Sequence, residues 1–495
     1  MNNQAALHIA VVGHTNTGKT SLLRTLTRDR TFGEVADSAG TTRQVQAATV
    51  QLDGQDALIW YDTPGLEDSM ALFDWIEQLS RPGQRLDGPE RIGLFLRDTK
   101  ASQQFEQESR VLSQLAKSDA SLYVVDVRDP VLAKHRDELA ILQMCAKPVL
   151  PILNFTAQAP SLAQPWIDAF ARQGIHIYVA FDSVAPPTDG EQRLYDTLAQ
   201  LLGQNKTTLQ RLSVQAQTAR TRRRQAALTL VAELCIKTAA IEKTVPGKPA
   251  QRDAALAVER KYIGDLESAS VADLLRLYAF SPDDYTATEL PVSNGQWQAD
   301  PFSSQALKEA GLSLGKGAAV GAMAGAAVDL LSAGLTLGTG TLIGAGAGSL
   351  WQGVDRWGSA LKAQILGQVR WRVADEVLKV LAVRNFQLIQ ALEHRGHAAV
   401  QPISSPNPAQ TPSQKTGKTN TSPSRLPFDA TEFETVINKA RANPAWADEL
   451  NRDRARALAV QGLVRCFGAS AVFNETNEPN QPNQPNQPMQ PNQPH

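Results

Sequence analysis

One stretch near the N-terminus constrains this chain more than any other. An apolar run, HIAVVG (His8 to Gly13), leads into Gly13-His14-Thr15-Asn16-Thr17-Gly18-Lys19-Thr20, and that into the helical pattern SLLRTLTRD from Ser21. The spacing GxxxxGK[ST] between a strand and a helix predicts a loop whose backbone N–H groups, from Gly13 to Ser21, wrap phosphate oxygens at a helix N-terminus. Lys19 adds a fixed positive charge, and the Thr20 hydroxyl is placed to ligate Mg²⁺. Such a loop needs a strand before it and a helix after it, which points to an α/β fold.

The first 205 residues keep that rhythm. Ala57 to Asp62, Ser121 to Asp126, Pro148 to Asn154 and Gly174 to Asp182 read as strands, most of them nearly continuous in apolar residues, as strands covered on both faces are. Helical patterns such as LAKHRDELAILQMC separate them, so the expectation is a doubly wound, mostly parallel sheet. Gln44 to Leu52 alternates and suits an antiparallel edge. Residues 206–400 read as a mainly α-helical domain with a glycine-rich segment, 311–358, and a long amphipathic helix over Ala360 to His394. Residues 401–427 read as a flexible linker, 428–468 as a terminal helical segment, and 469–495, an NQP repeat, as a disordered tail.

Two further loops carry chemistry. Asp62-Thr63-Pro64-Gly65 ends the third apolar run. An acid there holds Mg²⁺ through water, and the Gly65 N–H can bond a γ-phosphate, so this loop reports hydrolysis. Between it and the first motif lies Ala39-Gly40-Thr41-Thr42-Arg43, where a threonine, Thr42 in preference to Thr41, completes the Mg²⁺ shell while the γ-phosphate is present.

The motifs GHTNTGKTS, GTTR and DTPG together resemble the Era/TrmE group of bacterial translation-factor-class GTPases over about the first 200 residues. FGEV, DTPGLEDS, YVVDVRDPVLAKHRDELAIL and PILNF, followed by the glycine-rich region, further resemble a bacterial family that joins this domain to a C-terminal domain of unknown function. The resemblance implies GTP and GDP as ligands, GTP hydrolysis, and Lys19, Asn16, Thr42 and Gly65 at the reacting phosphate. Its guanine-reading motif is NKxD, and the matching stretch here is Asn154-Phe155-Thr156-Ala157. Asn154 remains to touch the base, while the lysine and the aspartate are missing. Another acid, Asp182, is a candidate substitute, with a turn or capping role as the plainer reading. After DTPG, Leu66 stands where Ras-like enzymes place a water-orienting glutamine. Asn16 aligns with the asparagine by which the group holds K⁺, so the resemblance implies K⁺-stimulated hydrolysis and a homodimer through the GTPase domain. The interval 66–119 is longer than a minimal domain requires and reads as an insertion beside the switch, either an effector surface or a passive elaboration.

A formal net charge of −1 offers no global field for nucleic acid, and no RNA-binding module is recognisable. Three scattered cysteines and an N-terminus without a cleavable apolar stretch suggest a cytoplasmic protein. The glycine-rich segment leaves three readings open. Gly317, Gly321 and Gly325, like Gly340, Gly344 and Gly348, recur every fourth residue, and Leu330 to Val354 carries no charge. It reads as a hairpin in or on the inner membrane, as a tightly packed soluble helical pair, or as an oligomerisation element. The cluster Arg220 and Arg222 to Arg224 suits either acidic headgroups or a solvated helix face. The expected function is a GTP-hydrolysing molecular switch coupled to a membrane or protein partner. The rivals are an ATPase on the same scaffold and a nucleotide-dependent scaffold that hydrolyses almost nothing.

Overall fold

Six strands, β1 (Leu7–Val12), β2 (Gln46–Leu52), β3 (Gln55–Asp62), β4 (Ala120–Asp126), β5 (Val149–Asn154) and β6 (Val179–Ala180), form one sheet in the order β2-β3-β1-β4-β5-β6. This computed structural model describes residues 5–29, 31–33, 45–79, 85–158, 160–246, 248–280, 368–397, 426–448 and 453–475, together with 292–293, 296–297 and 451. Thr42 and its loop, the glycine-rich segment 311–358, residues 401–425 and residues 476–495 lie outside these, and so do the readings placed on them.

All neighbours in the sheet are parallel except β2, which runs antiparallel to β3 at the edge, as its alternating sequence suggested. Helices α1 (Lys19–Thr27), α2 (Ser69–Gln78), α3 (Gly88–Arg97), α4 (Thr99–Gln104), α5 (Glu106–Lys117), α6 (Ala133–Met144), α7 (Ala163–Arg172) and α8 (Gly190–Leu201) connect the strands. Because successive strand residues face opposite ways, β1 feeds two cores. Leu7, Ile9 and Val11 pack with Leu22, Trp60 and Leu122, whereas Ala10 and Val12 pack with Tyr123, Leu142 and Phe170. The interval 66–119, expected to be an insertion, contains α2 to α5, which cover the second face with Leu72, Ile76, Phe95 and Leu112 buried. Each such side chain contributes roughly 1.5–3 kcal/mol on burial, so these helices are part of the core.

The expected strand over Gly174 to Asp182 shrinks to two residues, because β6 is an edge that pairs only at Val179 and Ala180 while Ile177 and Tyr178 stay exposed. After α8 come α9 (Lys206–Ala239), β7 (Glu242–Pro246), α10 (Pro249–Leu277), the pair β8 (Val292–Ser293) and β9 (Gln296–Trp297), β10 (Gln368–Arg372), α11 (Asp375–Glu393), α12 (Ala430–Arg441) and α13 (Arg454–Glu475).

Two compact units divide the chain. The first comprises 1–224, 275–290 and 389–407, the second 225–274, 291–388 and 408–495. In the first unit Arg224 pairs with Glu393 at 3.2 Å and Arg223 lies over the Tyr278 ring at 5.9 Å, so both are engaged within the unit. In the second, the expected helix over Ala360 to His394 begins only at Asp375. QVRWR has period two, so Trp371 is buried while Arg370 and Arg372 both reach Glu242 on β7, at 3.4 Å for the Arg370 Nε. Arg384 and Glu267, both buried, face each other at 3.8 Å. Phe428, Phe433 and Phe467 cluster between the last two helices, and α13 continues to Glu475, past the expected start of the tail. Among the described residues no helix is long and apolar enough to cross a membrane.

Candidate functional site

The loops at the carboxyl ends of β1, β3, β5 and β6 meet at one edge of the sheet, the position at which open α/β sheets bind ligands. Gly18 takes φ +89°, and a β-carbon there would stand 2.3 Å from Asn154 Nδ2, so only glycine fits. Lys19 opens α1 and curls back over the loop, its Nζ donating to Gly13 O at 3.1 Å and His14 O at 2.8 Å. Burial draws its ammonium down to about 8, against the attraction of Asp62, Glu138 and Glu67. A desolvated ammonium held at a helix N-terminus is a receptor for a polyanion.

Thr20 Oγ1 donates to Asp62 Oδ2 at 2.6 Å. Asp62 is fully buried, and its Oδ1 has no partner among the described residues. Burial raises its carboxyl, with the Thr20 hydrogen bond and Lys19 opposing. An orphaned carboxylate oxygen beside a hydroxyl is the donor set a hard divalent cation takes through oxygen, so Mg²⁺ fits these residues. Thr63 anchors the following turn through Val11 O at 2.7 Å, and Gly65 lies against Thr15. Leu66 donates its N–H to Gly13 O at 3.1 Å, and its side chain is in the core with Leu72 and Ile76. Glu67, exposed, accepts from Thr15 Oγ1 at 3.1 Å.

His14 is the residue whose part the sequence did not reveal. Its Nδ1 is 2.6 Å from Leu66 O and 3.0 Å from Glu138 Oε1, and its Nε2 is 2.8 Å from Lys134 Nζ. Two acceptors at Nδ1 and an ammonium at Nε2 fix the Nδ1–H tautomer. Tyr123 OH donates to the other oxygen of Glu138 at 2.7 Å, and Glu138 has no exposed surface. The loop after β1, the loop after β3 and helix α6 are thus joined through one imidazole. Asn16 is exposed at φ 65°, Thr17 Oγ1 donates to His14 O at 3.0 Å, and Ser21 is half-buried on α1. A cavity of about 490 Å³ borders Asn16 and Thr17 together with Arg128 and Lys134.

On the other side Asn154 is fully buried and acts as a tether. Its Nδ2 donates to Thr17 O at 2.9 Å, and its Oδ1 accepts from Phe155 N at 2.9 Å and Ser183 N at 2.8 Å. This tether uses one of the two N–H groups of the amide, so it is compatible with the expected contact of Asn154 with a base. Asp182 is committed too, accepting from Ala157, Val184 and Ala185 N–H groups at 2.8–2.9 Å, which supports the capping role over base reading. Phe155, at φ 60°, fills the place of the missing lysine, with the Arg128 guanidinium 3.9 Å above its ring. Arg128 is in turn held by both oxygens of Asp126, at 2.6–3.1 Å.

Residues 8–155 match a family described as 50S ribosome-binding GTPase, and residues 168–465 match one described as Domain of unknown function (DUF3482). The tRNA modification GTPase MnmE of Wolbachia sp. subsp. Drosophila simulans is 32% identical over 130 residues, which cover 26% of this chain and 27% of that protein. GTPase Der of Treponema pallidum subsp. pallidum is 29% identical over 157 residues, covering 30% and 33%. The chain therefore spans roughly a quarter to a third of the length of these curated relatives. Among solved structures, Aquifex aeolicus Era bound to GDP.AlF4⁻ is 16% identical at a TM-score of 0.29, covering 40% of this chain and 57% of that one. With its larger match extending over more than half of its length, the chain belongs to the DUF3482 family, and it carries that domain behind an N-terminal GTPase domain.

Proposed function

We propose that the protein binds GTP and hydrolyses it to GDP and phosphate as a molecular switch. The observation that carries this reading is the Thr20–Asp62 pair, with its orphaned oxygen, beside the buried ammonium of Lys19. The backbone N–H groups of Gly13 to Ser21 grip the phosphates, and Lys19 neutralises the β and γ oxygens. Thr20, Asp62 and, from outside the described residues, Thr42 hold Mg²⁺, which when bound supplies charge stabilisation for the transferring phosphoryl. The Gly65 N–H bonds the γ-phosphate, so loss of that group frees the loop and, through Leu66 and His14, reaches helix α6.

Leu66 is buried and orients no water, so transition-state charge must come from elsewhere. The finer parts of the reading assign that role to K⁺ held by Asn16 and by the switch loop on homodimerisation. They also assign the glycine-rich segment to association with the inner membrane. Discrimination for guanine is expected to be weaker than where an aspartate reads the ring, because Ala157 supplies no acceptor.

Labelled-GTP binding and phosphate release by the parent chain and by Lys19→Ala test the reading. Loss of tight triphosphate binding in Lys19→Ala is expected, and unchanged affinity would remove its basis. Competition by GTP and ATP separates the ATPase rival, which equal displacement by both nucleotides would favour.

A further inference from the structure

The loop after β6 is gripped by a segment that the sequence places more than two hundred positions away. Gly396, just beyond α11, donates its N–H to Val184 O at 2.8 Å. A β-carbon on Gly396 would stand 1.8 Å from Ser183 O and 3.0 Å from Thr25 Oγ1, so the two backbones touch. Ser183 O also accepts from Thr25 Oγ1 at 2.8 Å, and Ser183 N donates to Asn154, whose amide reaches Thr17 in the phosphate loop. A single peptide, Ser183–Val184, is therefore bonded to α1, to the end of β5 and to Gly396.

The segment around Gly396 is anchored on both sides. Glu393 accepts from Tyr278 OH at 3.0 Å and pairs with Arg224 at 3.2 Å. The His397 ring stacks on Phe280 with centroids 4.5 Å apart and planes within 6°, and His394 Nε2 is 3.3 Å from Thr188 Oγ1. All of these residues belong to the first unit. A cavity of about 100 Å³, lined in part by Arg28, Glu191, Arg223 and Glu393, lies beside the contact and leaves room for displacement. Both partners fall within 168–465 and neither within 8–155, so the contact is internal to the DUF3482 match.

We propose that Glu393–His397 is a positioning strap on the base-side loop, holding Ser183–Val184 in place and thereby setting the rate at which nucleotide leaves. This rests on the nucleotide-binding reading above. In equilibrium terms, whatever the strap adds to nucleotide affinity the bound nucleotide returns as added stability of the strap. A methyl group on Gly396 must push one backbone off the other, since its neighbour is a carbonyl and not a flexible side-chain end.

The test is release of mant-GDP from the full chain, with Gly396→Ala compared with the parent. Gly203→Ala is the control, because nothing lies within 4 Å of its added carbon. Release from Gly396→Ala should be on the order of tenfold faster, with Gly203→Ala at the parent rate. In the parent, GDP should slow amide hydrogen exchange across Glu393–His397. A folded Gly396→Ala that releases at the parent rate overturns the strap. Where Gly396→Ala does not fold, exchange across Glu393–His397 that is unmoved by GDP overturns it. A parent chain that takes up no mant-GDP removes the nucleotide reading and the strap's role together, whereas uptake with an unchanged variant rate removes the strap alone.

Discussion

Glu138→Gln isolates the buried network behind the phosphate loop. The parent carboxylate accepts from Tyr123 OH at 2.7 Å and from His14 Nδ1 at 3.0 Å with no exposed surface. Glutamine keeps the shape but offers one acceptor oxygen and one NH₂ donor. If the oxygen faces His14, the NH₂ meets Tyr123, whose hydroxyl must rotate to accept. If it faces Tyr123, the NH₂ meets the Nδ1–H and one donor is stranded. Losing the charge-assisted character of two hydrogen bonds without stranding a group costs about 1–4 kcal/mol, since such bonds contribute roughly 1.5–3 kcal/mol each and neutral ones about 1. At ~2–4 °C per kcal/mol for a domain of this size, the melting midpoint of the first unit should fall by roughly 2–16 °C. Glu138→Ala strands both partners and opens a cavity, so it should cost about 3–5 kcal/mol. Urea unfolding followed by tryptophan fluorescence, to which the buried Trp60 and Trp166 of the first unit contribute, reads this. Equal midpoints for parent, Glu138→Gln and Glu138→Ala would refute the network as a structural tie.

Nucleotide affinity should be flat at neutral pH and weaken as pH rises through about 8. The free-state Lys19 ammonium titrates there, bound phosphate restores its proton, and binding therefore takes up a proton above that point. Mant-GTP titrations between about pH 6.5 and 9.5 check this, and Lys19→Arg should flatten the profile because a guanidinium does not titrate in that range. Hydrolysis should run faster in K⁺ than in Na⁺, with Asn16→Ala erasing the difference in kcat while leaving affinity largely intact. Equal rates in both salts would sink the K⁺ proposal. Removal of residues 311–358 should release the chain from lipid vesicles, and a parent chain that never pellets with them would end the membrane proposal.

The geometry of the proposed phosphate site was legible because it is local. Gly18, Lys19 and Thr20 are placed by a backbone turn and a helix start that eight consecutive residues specify, and Asp62 by its position at a strand end. The alternation of β2 and the apolar runs of β1, β4 and β5 likewise announced their places in the sheet. His14, Glu138 and Tyr123 were not legible, because a histidine at a position the loop motif does not specify and a glutamate in a helical pattern each have an ordinary surface reading. Only the fold buries Glu138 and turns His14 toward it. β10 was missed for a related reason. QVRWR has strand period but adjoins a long helical pattern, and its partner β7 lies far away in sequence.

Where the guanine-reading motif is degraded, the neighbours of each residue decide what it does. With the lysine and the aspartate missing, the expectation is that Asn154 touches the base, with Asp182 a candidate substitute acid whose plainer reading is a turn or cap. In the structure both fix loops, Asn154 between Thr17 and Ser183 and Asp182 between Ala157 and Val184, and for Asn154 this leaves one amide N–H for a base. What replaces the lysine is a layered group, Phe155 beneath Arg128, with Arg128 held by Asp126. A guanidinium over an aromatic face contributes about 0.5–2 kcal/mol according to its exposure, and here it also fixes the ring beside Gly18. Arg128→Ala should therefore loosen Phe155 and raise the Kd for GTP several-fold without moving the pH profile set by Lys19. Phe155→Leu, which removes the ring but keeps an apolar filler, should do the same. A Kd for GTP that is unchanged in both variants would show that the pair shapes the surface of this loop but takes no part in holding the nucleotide.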